Sequence, residues 1–251
     1  MNSVLDVTNS VLASSAALWR GSMGKPASRM PDIPLELYDM EGCPYCRLVR
    51  EALTDLDIDA MIYPCPKGGE RFRPKVTETG GQAMFPYLVD PNNEVALYES
   101  ADIIKYLYTT YGGRRAPLAL RRLIDLPSSM LASGVRGGAG IRVRPSRAPK
   151  KALELFSFES SPYSRRVREL LCELELPYLL RNTGKALVKD IGPPGLRATF
   201  FPDLPVVGRN RRDLLERTGK VQVPYLVDPN TGKAMYESDD IKAYLMATYA
   251  A

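Results

Sequence analysis

Two cysteines separated by two residues, in Cys43-Pro44-Tyr45-Cys46, are the residues of this chain best suited to chemistry. They stand between a short apolar run, Leu35 to Tyr38, and a helix-like run from Arg47. A CxxC pair at a strand-to-helix corner reads as a dithiol redox site. Cys43 falls where a helix N-cap would be, and Pro44 at the first helical position, where proline is tolerated best. A thiol there faces unpaired N–H groups and the positive end of the helix dipole, and both favour thiolate. Its pKa should fall below the free value of about 8.5. Cys46, one turn deeper, is placed to attack a mixed disulfide on Cys43.

Other chemistries are harder to assemble. A zinc site needs two further ligands. The chain has no histidine, and its other cysteines, Cys65 and Cys172, stand alone, so no metal is expected. The lack of histidine also removes Ser-His and Cys-His catalysis. A structural disulfide or a chance spacing is the alternative to the redox reading. Cys65, in Pro64-Cys65-Pro66, reads as a passive thiol rather than a third redox cysteine. Cys172 lies in an apolar helical run and reads as buried and inert.

The elements that must hold the dithiol follow from periodicity. Residues 35–39 alternate as a strand. Residues 44–57 place Val49, Ala52, Leu53 and Leu56 on one helical face. Strands follow at 58–63, 85–89 and 94–98, with a helix over 70–80 and a turn at Asp90-Pro91-Asn92-Asn93. Ser100 is read as the cap of a last helix, which runs to Tyr111 and ends at Gly112-Gly113. The order βαβ, helix, hairpin, helix predicts a four-stranded mixed sheet flanked by helices.

The pattern then returns. Residues 153–181 match 35–63 at 12 of 29 positions, and 223–249 match 85–111 at 17 of 27. This internal duplication predicts two tandem domains, 33–113 and 152–251. Extra length in the second copy falls within 183–212, a Pro- and Gly-rich stretch read as a surface loop. The copies differ at the chemistry: Cys43 and Cys46 are replaced by Ser161 and Ser164, which can cap a helix but cannot form a disulfide.

Length (251 residues) and an apolar fraction of 45% suit one or two domains with real cores. Four cysteines are too few for a disulfide scaffold, and the CxxC suits a reducing compartment. There is no run of 18 apolar residues, the length a membrane span needs. The net charge of +5 is uneven: residues 114–150 hold nine Lys/Arg and one acid, Asp125. Residues 114–151 therefore read as a basic linker, either a solvated spacer or a strap for an anionic surface or acidic partner. Nucleic acid is not favoured, since aromatic residues are missing there. Leu118 to Leu131 within it is compatible with a short helix interrupted by Pro127. Residues 1–32 form an N-terminal extension. Its six serines and single acid up to residue 31 are compatible with a transit sequence, with an amphipathic helix packed on the first domain, or with a disordered tail. Trp19 is read as a packing residue.

These motifs, in order and repeated, resemble a known group. Cys43-Pro44-Tyr45-Cys46 is similar to the glutaredoxin active site. Phe85-Pro86 and Val223-Pro224 resemble the cis-proline corner of the thioredoxin superfamily. Glu99-Ser100 and Glu237-Ser238 resemble the Glu-Ser dipeptide of glutathione S-transferase N-terminal domains. The whole resembles tandem thioredoxin-like proteins of plant chloroplasts, algae and cyanobacteria. The resemblance implies an α/β fold of two thioredoxin-like domains and glutathione as co-substrate. It implies that Cys43 is the nucleophile and Cys46 the resolving thiol. Tyr45, Phe85, cis-Pro86, Glu99 and Ser100 would hold glutathione, and Ser161, Ser164, Pro224, Glu237 and Ser238 would be its degenerate counterpart. A glutathione-linked thiol–disulfide oxidoreductase acting on a protein disulfide or glutathionylated protein is the leading expectation, with a chloroplast location ahead of a cytoplasmic one. A structural or assembly subunit of a larger complex, in a plastid or elsewhere, comes second, and a glutathione-conjugating enzyme third.

Overall fold

Two runs of the same elements build the molecule. The computed structural model describes residues 3–117, 122–190 and 204–251. The first run is α1 (Ser3–Ala16), β1 (Leu35–Asp39), α2 (Pro44–Asp55), β2 (Ala60–Pro64), α3 (Arg73–Gly80), β3 (Tyr87–Asp90), β4 (Val95–Leu97) and α4 (Ser100–Leu107), which continues as a π-helical turn, Tyr108–Gly112. The second is α5 (Arg122–Val135), β5 (Leu153–Ser157), α6 (Pro162–Glu173), β6 (Tyr178–Asn182), α7 (Arg209–Thr218), β7 (Tyr225–Asp228), β8 (Lys233–Met235) and α8 (Ser238–Tyr249). In each copy the first two strands pair in parallel and the hairpin pairs antiparallel, the four-stranded mixed sheet that the periodicity predicts. Val49, Ala52, Leu53 and Leu56 are buried, so the apolar stripe of α2 does face the sheet. Both hairpins close on an aspartate. Asp90 accepts from the hydroxyls of Tyr106 and Tyr111, and Asp228 from those of Tyr244 and Tyr249.

The two sheets are one. Strand order is β4-β3-β1-β2-β6-β5-β7-β8, with β2 antiparallel to β6. Met61 pairs with Leu179, its own counterpart in the repeat, so a local two-fold axis passes between them. An exposed sheet edge invites pairing, and each copy covers the other's.

The duplication also reaches further than the sheet domains. Residues 3–26 match 122–145 at 7 of 24 positions, including Asp6/Asp125, Leu12-Ala13-Ser14/Leu131-Ala132-Ser133 and Gly21/Gly140. These leading segments are exchanged. Ser10 Oγ of α1 donates to Pro162 O of the second copy at 2.7 Å, and Ser129 Oγ of α5 donates to Pro44 O of the first at 2.9 Å. Ser160 N donates to Gly21 O, and Gly42 N to Gly140 O. Gly21 and Gly140 both have φ of +70°, and a Cβ on Gly21 would stand 2.7 Å from the Glu159 side chain. The left-handed turn and the close approach together require glycine there.

Three sequence expectations are corrected here. The N-terminal helix packs on the second copy rather than on the first domain. The basic linker is not a free strap. Its helix runs over Arg122–Val135 with Pro127 inside, Arg136 is buried against Glu169 and Asp6, and Arg144 pairs with Glu173 at 2.8 Å. In the stretch 183–212, residues 209–212 begin α7, while 191–203 lie outside the described residues.

Candidate dithiol site

Cys43 is the N-cap of α2, with φ −77° and ψ 126°, and Pro44 opens the helix. The corner is fixed by Cys43 N donating to Met40 O at 2.9 Å and Arg47 N to Cys43 O at 3.1 Å. From the other copy's leading segment, Gly140 O holds Gly42 N. Both sulfurs are free thiols; Cys43 is 8% exposed and Cys46 is fully buried.

The two thiols are shifted in opposite directions. The Cys46 thiol donates to Cys43, and this bond, opposed by burial and helped by the N–H groups of Cys46 and Tyr45 and by the charge of Arg50, brings Cys43 down to about 7. Burial pushes the Cys46 thiol well up, and the Cys43 and Asp39 charges add to this. The outer sulfur is thus the one that ionises around neutrality, and the inner one keeps its proton. Cys65 and Cys172 are buried with raised thiol pKa values, and burial is the leading cause for each. Cys172 is more than filler, because its sulfur accepts from Glu41 N at 3.4 Å and so braces the loop before Cys43.

Of the residues expected around glutathione, Tyr45, Glu99 and Ser100 line one cleft of ≈590 Å³ together with Trp19, Leu48, Ile104 and Tyr108. Trp19 is 44% exposed on that cleft rather than packed in a core. The helix cap is also corrected. Glu99 is the N-cap of α4, at φ 62°, and Ser100 is the first helical residue. Phe85 and Pro86 lie outside the cleft. Their peptide bond is cis, and the Arg73 guanidinium sits 4.7 Å from the centre of the Phe85 ring.

The second copy keeps the frame and closes the site. Val223-Pro224 is also cis. Ser161 Oγ caps α6 by accepting from Ser164 N at 3.3 Å, and Ser164 is fully buried. Glu237 accepts from Gln222 at 2.6 Å. Arg166, which replaces Leu48, donates to Ser238 Oγ at 2.9 Å and pairs with Asp239 and with Asp6 of α1. Lys242, which replaces Ile104, pairs with the same Asp6 at 3.1 Å. Ions therefore fill the place where the first copy has its apolar cleft.

Beneath the dithiol lies a buried ionic cluster that joins the copies. Arg50 pairs with Asp39, and with Glu159 at 2.9 Å; Arg168 pairs with Glu41 at 3.0 Å and Glu159 at 3.0 Å; Arg47 reaches Glu159 at 3.4 Å. Motif reading passes over these residues. The available signal was the repeat: Glu41/Glu159, Arg47/Arg165 and Arg50/Arg168 are identical pairs on otherwise apolar, buried elements.

The sequence profile described as "glutathione S-transferase, N-terminal domain" matches the chain twice, over residues 37–115 and 155–251. The chain belongs to that family. It carries the N-terminal, thioredoxin-like domain of glutathione S-transferases in tandem. No match is found among curated protein sequences. Among solved structures, a Bombyx mori glutathione transferase is 30% identical over 34% of this chain and 39% of its own, with a TM-score of 0.31. A Nilaparvata lugens delta-class glutathione transferase is 30% identical over 32% and 37%, with a TM-score of 0.26. Leishmania TDR1, a trimeric glutathione transferase, is 14% identical over 87% and 67%, with a TM-score of 0.30. The chain thus spans well under half the length of the first two.

Proposed function

We propose that the protein is a glutathione-linked thiol–disulfide oxidoreductase that works through Cys43 and Cys46, with the second copy as a non-catalytic scaffold. The observation that carries this reading is Cys43 at the N-cap of α2 with the buried Cys46 in the first turn behind it, a placement that draws the Cys43 thiol down and pushes the Cys46 thiol up. The first step is attack of the Cys43 thiolate on the glutathionyl sulfur of a mixed disulfide. The Cys43–glutathione S–S bond forms, the old S–S bond breaks, and the substrate leaves as thiolate. A second glutathione thiolate then attacks the glutathionyl sulfur on Cys43, which releases oxidised glutathione and restores the Cys43 thiolate. With a protein disulfide, the Cys43 thiolate first bonds to one protein sulfur and the other leaves as thiolate. Cys46 then loses its proton and attacks Cys43, the second protein sulfur leaves as thiolate, and two glutathione molecules return the Cys43–Cys46 disulfide to the dithiol and leave as oxidised glutathione. Glu99 and Ser100 stand at the start of α4, and in this reading they would take the carboxylate end of glutathione, since helix N-termini bind anions through free N–H groups.

This scheme separates the two cysteines experimentally. Cys46→Ser should keep reduction of a glutathionylated protein within about tenfold of the parent, because that route needs only Cys43 and free glutathione. The same variant should lose reduction of a protein disulfide, which needs the resolving thiol. Parallel assays of glutathione release and of disulfide reduction check this. Equal loss in both assays counts against the reading.

A further inference from the structure

Arg165 is a buried charge with no direct ion pair among the described residues, Glu159 and Glu169 acting on it only through space. It is 1% exposed, and no carboxylate among the described residues pairs with it. Its Nη1 donates to Ser10 O at 2.6 Å and Ser14 Oγ at 2.9 Å, while Nε and Nη2 have no acceptor. Arg47, its counterpart across the two-fold axis, also keeps a buried Nε without an acceptor, its Nη1 lying 3.4 Å from Glu159. The buried hydroxyls of Ser133 on α5 and Ser164 on α6 are unpaired as well. Buried polar atoms in native proteins nearly always find a partner, and an isolated buried ion costs far more than a neutral group.

At the centre Arg47, Arg50 and Arg168 share the carboxylates Asp39, Glu41 and Glu159, which leaves Arg165 without a direct carboxylate partner. The flanking Glu51 and Glu169 are engaged by Arg20 and Arg136. Burial and then the nearby Arg47 charge pull Arg165 down to about 9, so it remains a cation at neutral pH. Every unpaired group here is an N–H donor or a hydroxyl, which suits an anion and not a metal.

We propose that a small monovalent anion of chloride size binds between Arg47 and Arg165 on the two-fold axis, and that it ties α1 and α5 to the two sheet halves. This inference stands apart from the redox reading, since it concerns how the copies are joined.

The test is the thermal midpoint of the full chain at neutral pH and constant ionic strength, with chloride progressively replacing gluconate. A ligand held by the folded state raises the midpoint with the logarithm of its concentration, by about 3–5 °C per tenfold above its dissociation constant for a chain of this size. The Arg165→Met variant should lose that slope. A flat response in the parent protein, or an unchanged slope in the variant, overturns the proposal. If Arg165→Met does not fold, crystals grown in bromide decide. An anomalous peak between Arg47 and Arg165 supports the site, and its absence there rejects it.

Discussion

Replacing Cys43 with serine is expected to bring glutathione-dependent reduction of a glutathionylated protein down to the uncatalysed rate. A serine hydroxyl is not ionised near neutral pH, and a sulfenyl transfer needs a thiolate. No other cysteine can substitute. Cys46 is buried with its pKa pushed well up, Cys65 and Cys172 are buried with raised values, and none stands at a helix tip. The loss is not a folding effect. The second copy shows serine at the same corner, where Ser161 caps α6 through its own hydroxyl. Serine is among the favoured N-caps, so the melting temperature of Cys43→Ser should match or exceed that of the parent. Measuring activity and melting on one preparation separates the two effects. Full activity in the variant would remove Cys43 from the mechanism.

The largest expected effect on stability comes from Glu159→Ala. That carboxylate accepts from Arg50 and pairs with Arg47 and Arg168, so its loss strips the buried Arg47 of its carboxylate and takes one partner each from Arg50 and Arg168, which keep Asp39 and Glu41. Breaking a buried pair by removing one partner costs about 3–5 kcal/mol. Whole-domain stabilities are about 5–15 kcal/mol, so this is a large share. Urea unfolding should show it as a lower midpoint. Burial works to raise the Glu159 pKa, but Arg168, Arg50 and Arg47 outweigh it and hold the carboxyl below its ordinary range. A depressed folded pKa gives stability that is present above the unfolded value and lost as pH falls toward the folded one. The gap between parent and variant should therefore narrow below about pH 4.5. A variant as stable as the parent at neutral pH would mean that the cluster does not hold the copies together.

The sheet was legible because strand alternation and the stripe of α2 are short-range signals, and the repeat read them out twice. The cis prolines and the dithiol were legible because a few residue types carry each motif. The joining of the copies was not. Nothing in Ala60–Pro64 marks it as a strand whose edge will meet Tyr178–Asn182, because edge pairing is decided by backbone groups common to every residue. The exchange of α1 and α5 was hidden for a different reason. Most of their shared positions are small residues, serine, alanine and glycine, which carry little periodic signal, yet Ser10, Ser129, Gly21 and Gly140 make the cross-copy bonds. Charge misled as well. Arg136 raises the basic count of the linker, but it is consumed by Glu169 and Asp6 inside the fold.

The most direct test of the redox account is the rate at which the wild-type Cys43 thiol is lost to oxidised glutathione as pH is varied, followed by peptide mass analysis. Attack by the Cys43 thiolate releases one glutathione, and closure by Cys46 releases the second. With Cys43 near 7, the rate should climb tenfold per pH unit at first and level off just above neutrality. A rate that stays negligible until about pH 8.5, the range of an ordinary thiol, or the absence of any glutathione adduct or Cys43–Cys46 disulfide, would contradict the account.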